Sequence, residues 1–387
     1  MKTKLLFVIT QGVVGGAQKY VFDLAKHFSQ SRGYDVSVAI GGDSTEDLFK
    51  KLAAEKIKTH HLKFLGRDIK ISDDILAFLE LVKLLKKERP DIIHLNSSKI
   101  GLIGSLAAFF SKLTTNNYKP KIIFTAHGWI FKEEMPRQKR WAAVWASRLA
   151  AKFQDKIICV SENDFDKALQ SKIAPPKKFY MIHNAISETK FFSRVDARDE
   201  VAKMIGQELP GNAFVVTNLG RLYANKGLNY LVEAIEELKS KLPDITLIVF
   251  GDGPERGNLE LGIRNYELGS NVFLVGDKAD ASQYLKAFDA MVLSSTKEGF
   301  PYSILESGLA GVPVIATDVG GVGEIVKNDE TGILIESKDS KAITEAILKL
   351  ANNADFSQKL SASLKKSILK DFNFKTMAQK TEWVYRV

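Results

Sequence analysis

The sequence predicts an α/β protein of two doubly wound domains, each a parallel sheet covered by helices on both faces. Three observations predict it. With 387 residues, 45% hydrophobic and 26% charged, the chain has ordinary globular composition, and at that length about two cores are expected. Short β-branched apolar runs alternate with longer helical patterns from end to end. That rhythm breaks once, at residues 186–212, a polar stretch that closes on Pro210-Gly211 before a fresh strand opens.

The first half reads as strands at 5–9, 36–40, 92–95, 122–125 and 157–160, and the second as strands at 214–218, 245–250, 272–275, 290–293 and 312–316. Continuous apolar runs of this kind mark strands buried on both faces. The run at 5–9 imitates a signal peptide behind Lys2 and Lys4, but it falls short of an apolar core of about 7–15 residues and reads as the first strand. The stretch 100–110, broken by Gly101 and Gly104, is well below the roughly 18–20 residues of a spanning helix. Helices are expected at 17–28, from Pro136 through 141–152, at 228–239, from Tyr302 onward, and at 359–370 running into 372–387. The expected domains are 1–186 and 187–372, with the last helix, about 373–387, returning to the first domain. Ligands of open α/β sheets bind beyond the carboxyl ends of the strands, so the site is expected in a cleft between the domains.

The net charge of +9 is unevenly placed: residues 1–190 hold 32 basic and 19 acidic residues, and residues 191–387 hold 23 and 27. The first half therefore suits an anionic partner, a membrane surface or a nucleic acid. No nucleic-acid recognition motif or aromatic platform accompanies it. The lone Cys159 sits in an apolar run, which excludes a disulfide framework, reads as a buried inert thiol and fits a reducing compartment.

Three strand-to-loop junctions carry chemistry. Gly12-Val13-Val14-Gly15-Gly16 follows the first strand and precedes a helix, an arrangement suited to phosphate or simply to a tight turn. Neither the dinucleotide glycine spacing nor a P-loop is present. Asn218-Leu219-Gly220-Arg221 runs on to Lys226-Gly227, placing a planar fork and a point charge at the end of the strand that opens the second domain; solvated surface cations are the bland alternative. Ser294 to Ser307 contains Glu298 and Glu306, with Gly299-Phe300-Pro301 before the helix at Tyr302. Carboxylates accept hydrogen bonds from vicinal hydroxyls, and first-turn N–H groups face ligands. Alternatively Glu298 is a loop residue and Glu306 merely favours early helix turns. Thr317-Asp318-Val319-Gly320-Gly321 adds another glycine turn on the same rim.

Together with Thr125-Ala126-His127-Gly128, Val160-Ser161-Glu162, His183-Asn184 and Phe250-Gly251-Asp252-Gly253-Pro254, these segments resemble the retaining, nucleotide-sugar-dependent glycosyltransferases of family 4 over nearly the whole chain. The resemblance implies the GT-B fold, two Rossmann-like domains facing across a cleft. It implies that Arg221 and Lys226 grip a donor diphosphate, Glu306 the ribose and Glu298 the transferred sugar, with backbone amides of Gly299, Phe300, Ile304 and Leu305 completing the cradle. His127 faces the sugar, as base or as positioning group, Gly16 approaches the phosphates, and Gly251 and Gly253 lie near the base. Ala185 departs from the pattern, standing after Asn184 where such glycosyltransferases usually have glycine. The implied activity moves a hexose or N-acetylhexosamine, from a UDP-sugar by preference, to a lipid-linked or surface-glycan hydroxyl with retention. No cofactor or metal is expected, since the cation pair serves the leaving group and no His/Asp cluster has metal-ligand spacing. The alternatives are a sugar-nucleotide epimerase on the same fold or a non-catalytic sugar-nucleotide binder.

The basic half also carries Arg137, Trp141, Trp145, Arg148 and Lys152, which on a helix fall within about 80° of one another. Tryptophans among cations favour a membrane headgroup zone; a core pair with snorkelling cations is the alternative. The expectation is a cytoplasmic protein, peripheral on the inner face of the membrane.

Overall fold

A computed structural model describes residues 2–387 except Val14, Ser44, Thr45, Glu188 and Ala279. Two compact units divide the chain: residues 1–184 with 376–387, and residues 185–375. The division falls at Asn184/Ala185 and Lys375/Thr376, against the expected 186/187 and 372/373.

In the first unit, strands β1 (Thr3–Ile9), β2 (Tyr34–Ile40), β3 (Lys58–His61), β4 (Ile92–Leu95), β5 (Lys121–Ala126), β6 (Lys156–Cys159) and β7 (Phe179–Met181) form one sheet in the order β3-β2-β1-β4-β5-β6-β7. All described pairings are parallel. Between them run α1 (Gly16–Gln30), α2 (Asp47–Ala54), α3 (Ile71–Glu88), α4 (Ser98–Thr114), α5 (Arg137–Phe153) and α6 (Glu162–Gln170). One core layer joins α3, α4, α5 and α6 to the sheet through Ala77, Leu81, Leu85, Ala107, Ala151, Ala168 and the strand residues Ile93, Phe124 and Ile157.

The second unit holds α7 (Arg194–Ile205), β8 (Val215–Leu219), α8 (Leu228–Lys239), β9 (Thr246–Phe250), α9 (Arg256–Asn265), β10 (Val272–Gly276), β11 (Ala290–Leu293), α10 (Tyr302–Ala310), β12 (Val314–Thr317), α11 (Val322–Ile325), β13 (Ile333–Ile335), α12 (Ser340–Ala351) and α13 (Ala354–Asp371). Its sheet runs β10-β9-β8-β11-β12-β13. The order reverses between β8 and β11, and the crevice beyond their carboxyl ends is where such sheets bind ligands. The last helix, α14 (Phe374–Arg386), begins in the second unit and ends in the first. There Tyr385 packs against Phe28 and Tyr34, and Trp383 against Tyr180.

Three strands absent from the sequence reading, β3, β7 and β13, all lie at sheet edges. Edge strands are short and half-exposed, so they lack the continuous apolar run that marks an interior strand; β3 reads Lys-Thr-His-His. The expected pattern at 359–370 running into 372–387 forms two helices, α13 and α14, which part at Phe372 and Asn373, where Phe372 is buried. Several motif residues serve the fold. Ser161 caps α6, its Oγ accepting from Asp164 N at 3.1 Å, and Trp129 is buried with Nε1 donating to the Asp164 carbonyl. Cys159 is fully buried, and desolvation pushes its thiol pKa up, which keeps it inert.

Asp164 carries no exposed side-chain surface and pairs with Lys132 at 2.9 Å. Removing one partner of such a pair strands the other charge. Asp164→Ala should lower unfolding free energy by about 3 kcal/mol, read from denaturant midpoints at constant m-value; an unchanged midpoint contradicts this role.

Candidate functional site

Beyond β8, the chain passes Gly220 and Arg221 into a single 3-10 turn, Ala224–Lys226, then Gly227 and α8. Beyond β11 it runs from Ser294 to Pro301 and into α10. Lys226 Nζ donates to Glu298 Oε1 at 2.6 Å, and Ser295 Oγ donates to the same oxygen at 2.6 Å. Oε2 accepts no bond from the described residues. The two side chains are 21% and 10% exposed, enough burial to strengthen the attraction and enough opening to admit a ligand.

Backbone contacts fix this pair. Ser294 Oγ donates to the Lys226 carbonyl at 3.0 Å and Thr296 N to the Asn225 carbonyl at 2.8 Å. Gly227 and Gly320 sit at φ of 58° and 62°, and a Cβ on them would meet Ser294 O at 2.3 Å and Glu298 O at 1.9 Å. The Ser294–Glu298 backbone is thus clamped from both sides by residues that must be glycine. Arg221 is held similarly: Gly220 N bonds Phe250 O and Leu222 N bonds Asp252 O, both at 3.0 Å. Gly251 and Gly253 let the loop after β9 press against the carbonyls of Gly220 and Leu222. The half-buried Arg221 guanidinium lies 4.8 Å from the Tyr223 ring centroid.

Phe300, Ile304 and Leu305 are buried, so these positions can offer a ligand backbone N–H and not side chain. Gly299 contributes its carbonyl to Gly321 N at 2.9 Å. No side chain caps α10, and no acidic residue lies in its first turn, leaving a positive helix end beside Glu298. Glu306 follows half-buried on α10. Among the described residues no cluster of three or more His, Cys, Asp or Glu could hold a metal ion.

In the first unit, the half-buried Gly15 caps α1 without a side-chain bond and the exposed Gly16 begins it; Val14 of this loop lies outside the described residues. The Gly12 amide donates to the Glu46 carboxylate, a partner from 34 residues away. His127 follows β5, with Nε2 shielded and unpartnered and its ring edge-on to Tyr20 at 4.8 Å. Desolvation pushes its pKa down to about 3, so the imidazole is neutral near pH 7.

On α5, Trp141 and Trp145 are 65% and 50% exposed with ring centroids 5.7 Å apart, which discards the core reading. Arg137 and Lys152 are exposed too. Arg148 corrects the expected stripe: it is half-buried and donates to the Ser171 carbonyl at 2.8 and 3.2 Å. Exposed Leu149 continues the row instead. A helical wheel could not show that the end of α6 lies within reach of Arg148. Sequence reasoning also missed Ser295, signalled by the Ser-Ser pair directly after β11, and Tyr20 beside His127.

The model for Glycosyltransferase Family 4 matches residues 14–190, and that for Glycosyl transferases group 1 matches residues 201–367. The chain belongs to the family 4 glycosyltransferases. It is 29% identical, over 86% of its length and 84% of the other's, to the UDP-Gal:alpha-D-GlcNAc-diphosphoundecaprenol alpha-1,3-galactosyltransferase of Escherichia coli. It is 26% identical to the capsular polysaccharide biosynthesis glycosyltransferase CapM of Staphylococcus aureus, over 84% of each chain. Anabaena HepE, solved with UDP and glucose, superposes with a TM-score of 0.81 over 98% of both chains at 22% identity. That likeness establishes the shared GT-B fold.

Gly320 and Gly311 separate clamp from strain, because Gly311 has φ of 77° but nothing within 4 Å of where a Cβ would stand, whereas Gly320 abuts Glu298 O. Either change to Ala costs about 1–3 kcal/mol of backbone strain. Gly320→Ala should in addition abolish sugar transfer while Gly311→Ala keeps it, by initial rates below each variant's melting point. Equal activities would show that the clamp does not govern the site.

Proposed function

We propose that this glycosyltransferase moves a hexosyl or N-acetylhexosaminyl group from a UDP-sugar to a hydroxyl of a lipid-linked or surface-glycan acceptor, retaining anomeric configuration and using no metal. The observation that carries the reading is the Lys226–Glu298 pair at the switch point of the second sheet. It sets a cation and a carboxylate side by side, one suited to diphosphate and the other to sugar hydroxyls. The donor nucleotide and lipid-diphosphate acceptor are supported by the name of the Escherichia coli relative.

In this reading Arg221 and Lys226 hold the diphosphate, Glu298 accepts sugar hydroxyls through Oε2, Glu306 takes the ribose, and the first turn of α10 supplies backbone donors. As the anomeric C–O bond breaks, negative charge grows on the diphosphate and is met by cations already in place. The acceptor oxygen attacks the same face that the phosphate leaves, and its proton passes to the departing phosphate oxygen. His127, neutral and with its pKa pushed down to about 3, is too weak a base for that proton and serves as a hydrogen-bonding group to the sugar. Fixed cations take the charge-neutralising part of a divalent ion, so EDTA should leave rates unchanged.

Lys226→Ala and Glu298→Ala should each lower kcat by at least about 10²–10³-fold with the fold intact by circular dichroism. Wild-type transfer in either variant refutes the assignment, and donor turnover without acceptor to an epimerised sugar nucleotide supports the epimerase instead.

The acceptor side is supported by the outer surface of the first unit. The row Ile75, Leu79 and Lys83 runs along α3 beside Ile71 and Leu76, and Phe110 of α4 meets Phe78 and Lys86 of α3. Phe109 of α4 meets Phe153 of α5, and Leu113 is exposed nearby on α4. Three neighbouring helices thus present apolar side chains to solvent, with Arg137, Lys139, Arg140, Lys83, Lys87 and Lys152 at their ends. No described helix is long and apolar enough to cross a membrane. The reading is peripheral docking on the cytoplasmic leaflet. Trp141→Ala with Trp145→Ala should weaken co-sedimentation with phosphatidylglycerol vesicles about tenfold or more, and unchanged binding removes the membrane from the proposal.

A further inference from the structure

Beside His127 lies a buried chain of polar side chains that the proposed mechanism leaves unused. His94 of β4 is fully buried. Its Nδ1 stands 2.7 Å from the Tyr385 hydroxyl of α14 and its Nε2 2.6 Å from Thr125 Oγ1 of β5. Thr125 Oγ1 also lies 3.3 Å from the Tyr20 hydroxyl of α1. Tyr20 packs its ring against His127 at 4.8 Å and against His94 at 6.0 Å. Thr125 is the penultimate residue of β5, and His127 directly follows the strand.

Every group in this chain is neutral. Burial pushes His94 down to about 3, Tyr20 up to about 12 and Tyr385 well above its usual range. A neutral imidazole has one donor and one acceptor nitrogen, so two hydroxyls satisfy it completely, and each link fixes the direction of the next. Apolar residues would fill the same space without desolvation cost. What the polar chain adds is orientation: it ties the end of the returning helix to the wall against which His127 rests, and to α1 one turn beyond Gly16.

We propose that Tyr385, acting through His94, Thr125 and Tyr20, is a positioning residue that fixes the ring orientation of His127, making the returning C-terminal helix part of the site. The proposal rests on the role given to His127 above. Tyr385→Phe removes one hydroxyl and keeps the ring against Phe28 and Tyr34; Thr125→Val removes another isosterically. In the full-length protein each should lower kcat about tenfold, leave the donor KM within about twofold, and shift the ring ¹⁵N resonances of His127 without donor present. In a His127→Ala background neither should lower kcat further. Wild-type resonances for His127 in both variants, or the same loss of kcat with and without His127, overturn the proposal. Full transfer by His127→Ala alone would instead refute the role assigned to His127, with the resonances still deciding whether the chain positions it.

Discussion

The contact between Lys226 and Glu298 is the constraint to which the rest of the candidate site is fitted. It joins loops 72 residues apart that meet because β8 and β11 are neighbours at the point where the sheet reverses direction. An ion pair this sheltered gains stability only if both charges keep further partners. Ser295 supplies one on Glu298, and the Gly227 and Gly320 contacts deny the loop any room to relax. Because both donors fall on Oε1, the carboxylate is anchored by one oxygen. Its geometry is therefore set before a ligand arrives, which is the condition under which fixed charges act on a developing one without reorganisation.

This constraint explains what the sequence made legible. Interior strands announce themselves as apolar runs because both faces are covered, and β4 and β11 fall where the runs at 92–95 and 290–293 place them. Arg221, Lys226 and Glu298 stood out because charged residues beside glycine at the ends of such strands have few structural uses. Their pairing did not stand out, since which strand ends become neighbours depends on sheet order and not on local pattern. Arg148 misled for a related reason. Periodicity places a residue around its own helix and says nothing of the Ser171 carbonyl that captures it.

His94 shows the opposite limit. In the run Ile92-Ile93-His94-Leu95 it reads as one polar interruption of a core strand, and it is indeed fully buried. Its partners come from β5 and from α14, 31 and 291 residues away. Tyr385 is equally silent in a helix whose apolar residues account for its docking. A hydroxyl on a core-facing aromatic costs little to overlook in a sequence, yet here it decides whether a buried imidazole is satisfied.

The charge asymmetry can now be placed more closely. A helix with one apolar stripe buries it and shows water a polar face. In α3 the inner stripe is Ala77, Leu81 and Leu85, while Ile71, Ile75, Leu76 and Leu79 face outward. Two apolar faces on one helix mean that the second has a medium other than water, or a partner, to meet. Lysines gather where that outer row ends, at Lys83, Lys86 and Lys87, and where the tryptophan row of α5 begins, at Arg137, Lys139 and Arg140. Scattered cations would keep any protein soluble. Cations placed at the margins of an exposed apolar surface instead add electrostatic attraction to apolar burial, the combination that an anionic headgroup layer over hydrocarbon rewards.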